Sequence, residues 1–155
     1  MHAFDPTPSS ARWVAAQSLP SAFHFHDWGI GGEDGSALFY PPANDAHMSF
    51  SNAPGAAQPG TPVSAPIFRL ATIMRRLGHD RIDLLKMDVE GFEYETLRDI
   101  EASNIRPDQL LVEFHHGMYQ ATDADTNAAV ARLGAMGYDL YFVSDSGREY
   151  GFVKR

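Results

Sequence analysis

Apolar residues recur along this chain with two alternating periods, one typical of strands and one typical of helices. Short apolar or alternating runs predict strands at 2–5, 22–28, 36–41, 82–89, 109–116, 139–145 and 149–155. Helical spacing predicts helices at 9–17, 68–78, 92–103 and 125–137. In the clearest helix, "FRLATIMRRLG", the apolar residues lie at i, i+3, i+4 and i+7 from Leu70, and Gly78 follows as the C-cap. In the first helix, Trp13 and Val14 lie on one face, and in the helix at 92–103 Leu97 and Ile100 are expected to face inward.

The alternation of strands and helices indicates an α/β fold with βαβ units and a mostly parallel sheet. The last two strands predict a C-terminal antiparallel hairpin, with its turn at Ser146 and Gly147. The length of 155 residues fits a single domain over 1–155. Residues 41–66 contain six of the ten prolines, which predicts a long, flexible, proline-rich loop.

Composition excludes several classes of function. The formal net charge of −8 argues against a nucleic-acid-binding surface, which normally carries a basic patch. The chain has no cysteine, so disulfides and thiolate metal sites are excluded. No apolar run approaches the ~20 residues of a membrane span, and the N-terminus lacks the pattern of a signal peptide. We therefore expect a cytoplasmic protein that binds neither nucleic acid nor a membrane.

Acidic and histidine side chains gather at the carboxyl ends of the predicted strands, where open parallel sheets bind their ligands. They are Asp5, His26, Asp27, Asp88, Glu90, Glu113, His115 and His116. Asp88 and Glu90 are spaced i, i+2, which places both on one face of an extended chain. We expect Asp5, Asp88 and Glu90 to face one shared cleft.

Each of these residues also has a simpler structural interpretation. Asp5 fits a turn into the first helix, with Thr7 as the N-cap. Asp88, Glu90 and Glu93 lie near a helix N-terminus, where the helix dipole alone favours acids. His115 and His116 are neighbours on a strand and point to opposite faces, so at most one faces the cleft. A metal site made of Asp88, Glu90, Glu113 and one histidine is chemically possible, but no tight ligand spacing supports it, and no metal is expected.

Three segments resemble the FkbM-type methyltransferases, which are S-adenosylmethionine-dependent enzymes of the class I Rossmann-like fold. The segments are "HAFDPTP" (2–8), "RLATIMRRLGHDRIDLLKMDVEGFEYETL" (69–97) and "LLVEFHH" (110–116). The most specific part is "IDLLKMDVEGFE", which looks like the family's Lys-x-Asp-x-Glu-Gly signature. The resemblance implies a Rossmann-like three-layer sandwich, S-adenosylmethionine as cofactor, and methyl transfer to a hydroxyl of a small molecule or sugar.

The resemblance also implies roles for individual residues. Asp5 occupies the position that accepts hydrogen bonds from the cofactor ribose. The adenine is bordered by His26, Asp27, Trp28 and Gly29. The end of the fourth strand faces the methyl group and the acceptor. Glu90, Asp88 and His115, in that order, are the candidates for a general base.

The family pattern begins with a strand, a glycine-rich loop and a helix, which do not precede "HAFDPTP" in this sequence. We therefore expect the first βα unit to be absent, with a gap between strands 2–5 and 82–89. The gap would be closed by direct pairing of those strands or by a second copy of the chain, so a homo-oligomer and weak cofactor affinity are expected. The alternative function is a non-catalytic methyltransferase-like domain that serves binding or assembly.

Overall fold

The computed structural model describes residues 1–41 and 61–155. Its helices are α1 (Pro8–Ala15), α2 (Leu70–Leu77), α3 (Glu93–Ala102) and α4 (Asp123–Ala135). Its strands are β1 (His2–Phe4), β2 (His24–His26), β3 (Gly29–Ile30), β4 (Gly35–Phe39), β5 (Val63–Phe68), β6 (Leu84–Met87), β7 (Gln109–Glu113), β8 (Tyr138–Val143) and β9 (Glu149–Lys154). The longest of these helices has 13 residues, and none in the described ranges has the length and apolar character needed to cross a membrane.

A four-stranded sheet in the order β6-β7-β9-β8 carries the main core. β6 and β7 are parallel, whereas β9 runs antiparallel to both β7 and β8. The predicted C-terminal hairpin is therefore confirmed, and Gly147 in its turn has a left-handed φ of 72° that glycine adopts without strain. Buried side chains of α2, α3 and α4 pack against one face of this sheet, among them Leu70, Leu97, Ile100 and Leu133.

The fold is a mixed α/β architecture rather than a mostly parallel sheet. Two further sheets are described, the parallel pair β1-β2 and a mixed sheet in the order β3-β5-β4. β1 and β6 belong to different sheets, so these two strands do not pair directly. The helices α2, α3 and α4 contact one face of the large sheet, and Leu84 on β6 is 53% exposed. The expected three-layer arrangement is therefore not confirmed.

One local prediction was wrong in part. Residues 63–66, assigned to the proline-rich loop, lie in β5, and residues 42–60 of that loop fall outside the described ranges. Pro66 is tolerated in β5 because β3 pairs only with Ile67 and Phe68, so Pro66 has a neighbouring strand on one side. Trp13 is 58% exposed, and α1 has no buried residue.

Histidines from β1, β2 and the segment after α2 form a contiguous cluster. Nδ1 of His2 lies 3.0 Å from Nε2 of His26, and Nε2 of His2 lies 3.0 Å from Nε2 of His79. The ring of His24 stacks on that of His2 at 5.0 Å. Burial lowers the pKa of His2, and the neighbouring His79, His24 and His26 lower it further. Burial and the neighbouring His24 lower the pKa of His26, and the charge of Asp27 partly offsets this decrease.

This cluster predicts a loss of stability on acidification. The pKa values of His2 and His26 are lowered from 6.5 in the folded state, so the unfolded chain binds more protons between those lowered pKa values and 6.5. The free energy of unfolding should therefore rise with pH across that window. We expect the His2→Gln variant to lose less stability than wild type between pH 7.5 and 5.5, measured by urea denaturation. An equal loss in both would contradict this prediction, and His116→Gln, outside the cluster, serves as the control.

Candidate active site

The turn between β6 and α3 carries the two acids of the "KMDVEG" motif. β6 ends at Met87, and Glu90 has a left-handed φ of 50°, followed by Gly91 with a φ of 106°. The predicted i, i+2 placement on an extended chain is therefore wrong, because the chain is already turning at Glu90. Such backbone is uncommon for a residue with a side chain, and it concentrates at functional sites. The turn nevertheless brings Asp88 and Glu90 to the same neighbour, His115.

The end of β7 places His115 beside that turn. Phe114, which is fully buried, anchors the chain just before it, and His115 itself is only 4% exposed. Nδ1 of His115 lies 2.8 Å from Oε1 of Glu93, whose side chain is fully buried at the start of α3. When Nδ1–H donates to this carboxylate, the other ring nitrogen, Nε2, faces the two acids of the turn. His116 instead contacts Thr126 and lies near Asp123, so the two neighbouring histidines face different surroundings, as expected.

Nε2 of His115 is the centre of an acidic cluster. It lies 3.4 Å from Oε2 of Glu90, 3.9 Å from Oδ1 of Asp88 and 3.9 Å from Oε1 of Glu113. The hydroxyl of Tyr119 donates to Oε2 of Glu90 at 2.8 Å and so fixes that carboxylate. The three residues that the sequence analysis proposed for catalysis, Asp88, Glu90 and His115, thus lie together in space.

The electrostatics of the cluster favour positive charge. Burial alone lowers the pKa of His115, but the hydrogen bond to Glu93 and the charges of Glu93, Glu90 and Asp88 outweigh it, so the pKa is raised above 6.5. Burial and the neighbouring Asp88 raise the pKa of Glu113. Burial, together with the hydrogen bond to Glu90, raises the pKa of Tyr119, which keeps its hydroxyl protonated as a donor. The cluster can therefore hold a proton or a cation among its carboxylates.

An open cleft of about 960 Å³ lies between β1 and β6. The cleft is lined by Asp5, Gly29, Asp88 and Glu90, among others. Asp5 therefore shares one cleft with the two acids of the turn, as predicted. Its volume is within the range of small-molecule and cofactor sites. Three of the residues expected around the cofactor, His26, Asp27 and Trp28, do not line this cleft. Trp28 instead packs edge-to-face against Phe68 at 5.1 Å.

Asp5 takes part in the local turn that the sequence analysis considered for it. Its Oδ1 accepts a hydrogen bond from the backbone N–H of Thr7 at 2.8 Å, and its Oδ2 accepts one from the Ser10 hydroxyl at 2.6 Å. Thr7 is the N-cap of α1, as predicted. A carboxylate has about four acceptor positions, so these two bonds leave room for a ligand.

Gly29 has a packing role in addition to its place in the cleft. A Cβ atom at this position would lie 3.0 Å from Cγ2 of Ile67 and 3.3 Å from the ring of Phe39. The close approach of β3 to β5 therefore favours a residue without a side chain, because a Cβ atom would displace the side chains of Ile67 and Phe39. This close packing is a reason for Gly29 that does not involve a cofactor.

Sequence reasoning missed two residues that organise the cluster. Glu93 was interpreted as an acid near a helix N-terminus, whereas it is buried and bonded to His115. Tyr119 reaches Glu90 from a turn in which Tyr119 and Gln120 both have positive φ, at 50° and 66°. The signal available for Glu93 was its placement three residues after Glu90. No sequence signal identified Tyr119, because neither of these residues is a usual left-handed turn former.

The fold and the site together define an α/β protein with a cleft and an acid–histidine cluster beside the ends of parallel strands. The family model described as "Methyltransferase FkbM domain" matches residues 1–140. The chain therefore belongs to the FkbM methyltransferase family, as the resemblance indicated. Neither the curated proteins nor the solved structures gave a significant match.

Proposed function

We propose that this protein is an S-adenosylmethionine-dependent methyltransferase that acts on a hydroxyl of a small molecule or sugar. The observation that carries the proposal is the placement of Asp88 and Glu90 in the same cleft as Asp5, in a chain of the FkbM methyltransferase family. The Rossmann-like three-layer arrangement belongs to this proposal rather than to the observed fold. In such folds the ligand lies beyond the carboxyl ends of the strands, which is where these acids stand.

The cleft has features that fit the cofactor. Asp5 lies just beyond β1 and offers a carboxylate that can accept hydrogen bonds from two ribose hydroxyls. Ile30, Leu70 and Ile73 also line the cleft and supply apolar surface for a planar base. When bound, S-adenosylmethionine supplies an electrophilic methyl group, and the protein supplies orientation and electrostatics.

The acidic cluster is placed to activate an acceptor. Glu90 lines the cleft, its side chain is 21% exposed, and the Tyr119 hydroxyl holds one of its oxygens. We assign Glu90 the role of accepting the hydroxyl proton, with Asp88 beside it in the cleft. His115 does not line the cleft, so we assign it a positioning and charge-balancing role for these two acids.

The cofactor part of the proposal is tested by calorimetry with S-adenosylhomocysteine, extended to millimolar concentrations because weak affinity is expected. We predict that Asp5→Asn weakens binding by about 10-fold or more, since a hydrogen bond to a charged acceptor is worth ~1.5–3 kcal/mol. Asp145→Asn changes an exposed acid in the β8–β9 turn and should leave affinity unchanged. Equal affinity in wild type and Asp5→Asn would remove Asp5 from the site. No heat of binding in wild type would favour the alternative, a non-catalytic domain.

A further inference from the structure

We propose that Asp88, Glu90 and His115 form a binding site for one divalent transition-metal cation. Each of the three side chains offers one ligand atom, and these atoms all lie within 4.8 Å of one another. The loose spacing of the residues in the sequence led to the expectation of no metal. The fold brings together, from the ends of β6 and β7, ligands that sequence spacing alone did not connect.

The distances within the cluster are close to those of a coordination sphere. Ligand atoms that each lie about 2.1 Å from one cation are separated from one another by roughly 3.0–3.5 Å. Nε2 of His115 is 3.4 Å from Oε2 of Glu90 and 3.9 Å from Oδ1 of Asp88. The Asp88 side chain is 38% exposed, and its Oδ2 lies 3.7 Å from Nζ of the exposed Lys86, so a small inward movement of Oδ1 completes the set.

His115 provides an independent observation that points to a ligand. The residue is 4% exposed, and its Nε2 makes no hydrogen bond within the described residues although it faces two carboxylates. Its other nitrogen, Nδ1, is 2.8 Å from a carboxylate oxygen of the buried Glu93. Metal-binding histidines almost always have such a partner on the second nitrogen, because it fixes the tautomer and turns the free lone pair toward the ion.

The donor set favours a particular class of ion. One imidazole and two carboxylates suit Mn²⁺, Fe²⁺ or Zn²⁺ better than Ca²⁺ or Mg²⁺, which take mainly oxygen ligands. Glu113 is the next acid, with Oε1 3.9 Å from the same ring nitrogen. Three protein ligands leave coordination positions open toward the cleft that Asp88 and Glu90 line.

The cation would assist the proposed methyl transfer by activating the acceptor hydroxyl. This part of the inference rests on the proposed function. A bound cation occupies Nε2 of His115 and one oxygen of Glu90. Its positive charge lowers the pKa of a hydroxyl bound at an open position, as metal ions do for water. The binding itself does not depend on methyl transfer, because it is measured without cofactor or acceptor.

The same residues permit a rival arrangement without metal, in which protonated His115 neutralises the two acids. The histidine cluster of His2, His24, His26 and His79 would also bind ions that prefer imidazole, so the probe ion must favour carboxylates. Mn²⁺ is the suitable probe because it lies at the weak end of the affinity series for nitrogen ligands and accepts carboxylates well.

We expect the chelator-treated protein to bind one Mn²⁺, as titrated by electron paramagnetic resonance. Electron spin-echo modulation should show a directly coordinated ¹⁴N nucleus. Asp88→Asn should weaken binding by at least about 10-fold, because even loss of an outer partner of a metal ligand costs about 10- to 100-fold. His115→Gln should remove the ¹⁴N modulation, while the neighbouring His116→Gln should retain both affinity and modulation.

Three results would overturn the proposal: no Mn²⁺ binding below millimolar concentration, equal affinity in Asp88→Asn, or a spectrum without nitrogen coupling in wild type. If His115→Gln does not fold, the Asp88→Asn titration and the wild-type spectrum still decide the question. Calorimetry with S-adenosylhomocysteine is a separate readout. Failure of the cation site is therefore distinguishable from failure of the proposed function.

Discussion

Replacing Glu93 by alanine is expected to lower the free energy of unfolding by about 3 kcal/mol or more, since breaking a buried charged pair costs ~3–5 kcal/mol. Glu93 is fully buried. Its Oε1 accepts one hydrogen bond from Nδ1–H of His115 and another, at 3.1 Å, from the backbone N–H of Gly91. The substitution leaves a buried imidazole and a backbone donor without their partner, and it opens a cavity under the turn. Urea denaturation measures the change.

The control for this prediction is Glu95→Ala, because Glu95 lies in the same first turn of α3 and is exposed. Both acids interact with the helix dipole, a contribution of about 0.3–1 kcal/mol, so the difference between the variants isolates the buried pair. Equal destabilisation by the two substitutions would show that the pair contributes little. A double variant with His115→Ala should cost less than the sum of the single changes, because each single change leaves the other group unpaired.

The parts of the fold that were predicted correctly are those in which local pattern and tertiary environment agree. The apolar face of α2 and its C-cap are an example, since Gly78 adopts a left-handed φ of 70° directly after Leu77. α3 is another, because Leu97 and Ile100, which were expected to face inward, are almost completely buried. In both helices the periodicity alone determines which face packs on the sheet.

The errors arose where tertiary contacts outweighed local pattern. The sheet arrangement was not predictable, because the pairing of β5 with both β3 and β4 depends on partners distant in sequence. Trp13 is 58% exposed, because the burial of an apolar side chain depends on which other elements cover it. Pro66 was taken as a loop signal, which fails when only one side of the strand is paired.

The candidate site was predictable in its membership but not in its geometry. Strand-end placement correctly selected Asp88, Glu90 and His115 as neighbours, because β6 and β7 are parallel and end at the same edge. The left-handed turn at Glu90 and the contact from Tyr119 depend on backbone conformations that their residue types do not favour. Functional sites are where such disagreement between local preference and structure is expected.

The largest effect on activity is expected from Glu90→Gln, which keeps the shape of the side chain but removes the charge. If Glu90 takes the proton from the hydroxyl of the methyl acceptor, the rate of methyl transfer should fall by about 10²- to 10⁴-fold in this variant. That is the usual contribution of general base catalysis. The assay follows transfer from methyl-labelled S-adenosylmethionine to the best acceptor in a panel of monosaccharides and small alcohols. Affinity for S-adenosylhomocysteine should change little, because the substitution acts on the transferred proton.

Two further variants separate this role from a general loss of negative charge. Tyr119→Phe removes the hydroxyl that donates a hydrogen bond to Oε2 of Glu90. We expect the rate of methyl transfer to fall by about 10-fold, because one hydrogen bond to a charged group is lost. Glu33→Gln changes an exposed acid and should retain the wild-type rate. A Glu90→Gln rate within a few-fold of wild type would mean that the acceptor needs only correct placement beside the cofactor. In that case the strained turn at Glu90 would be required for shaping the cleft rather than for accepting a proton.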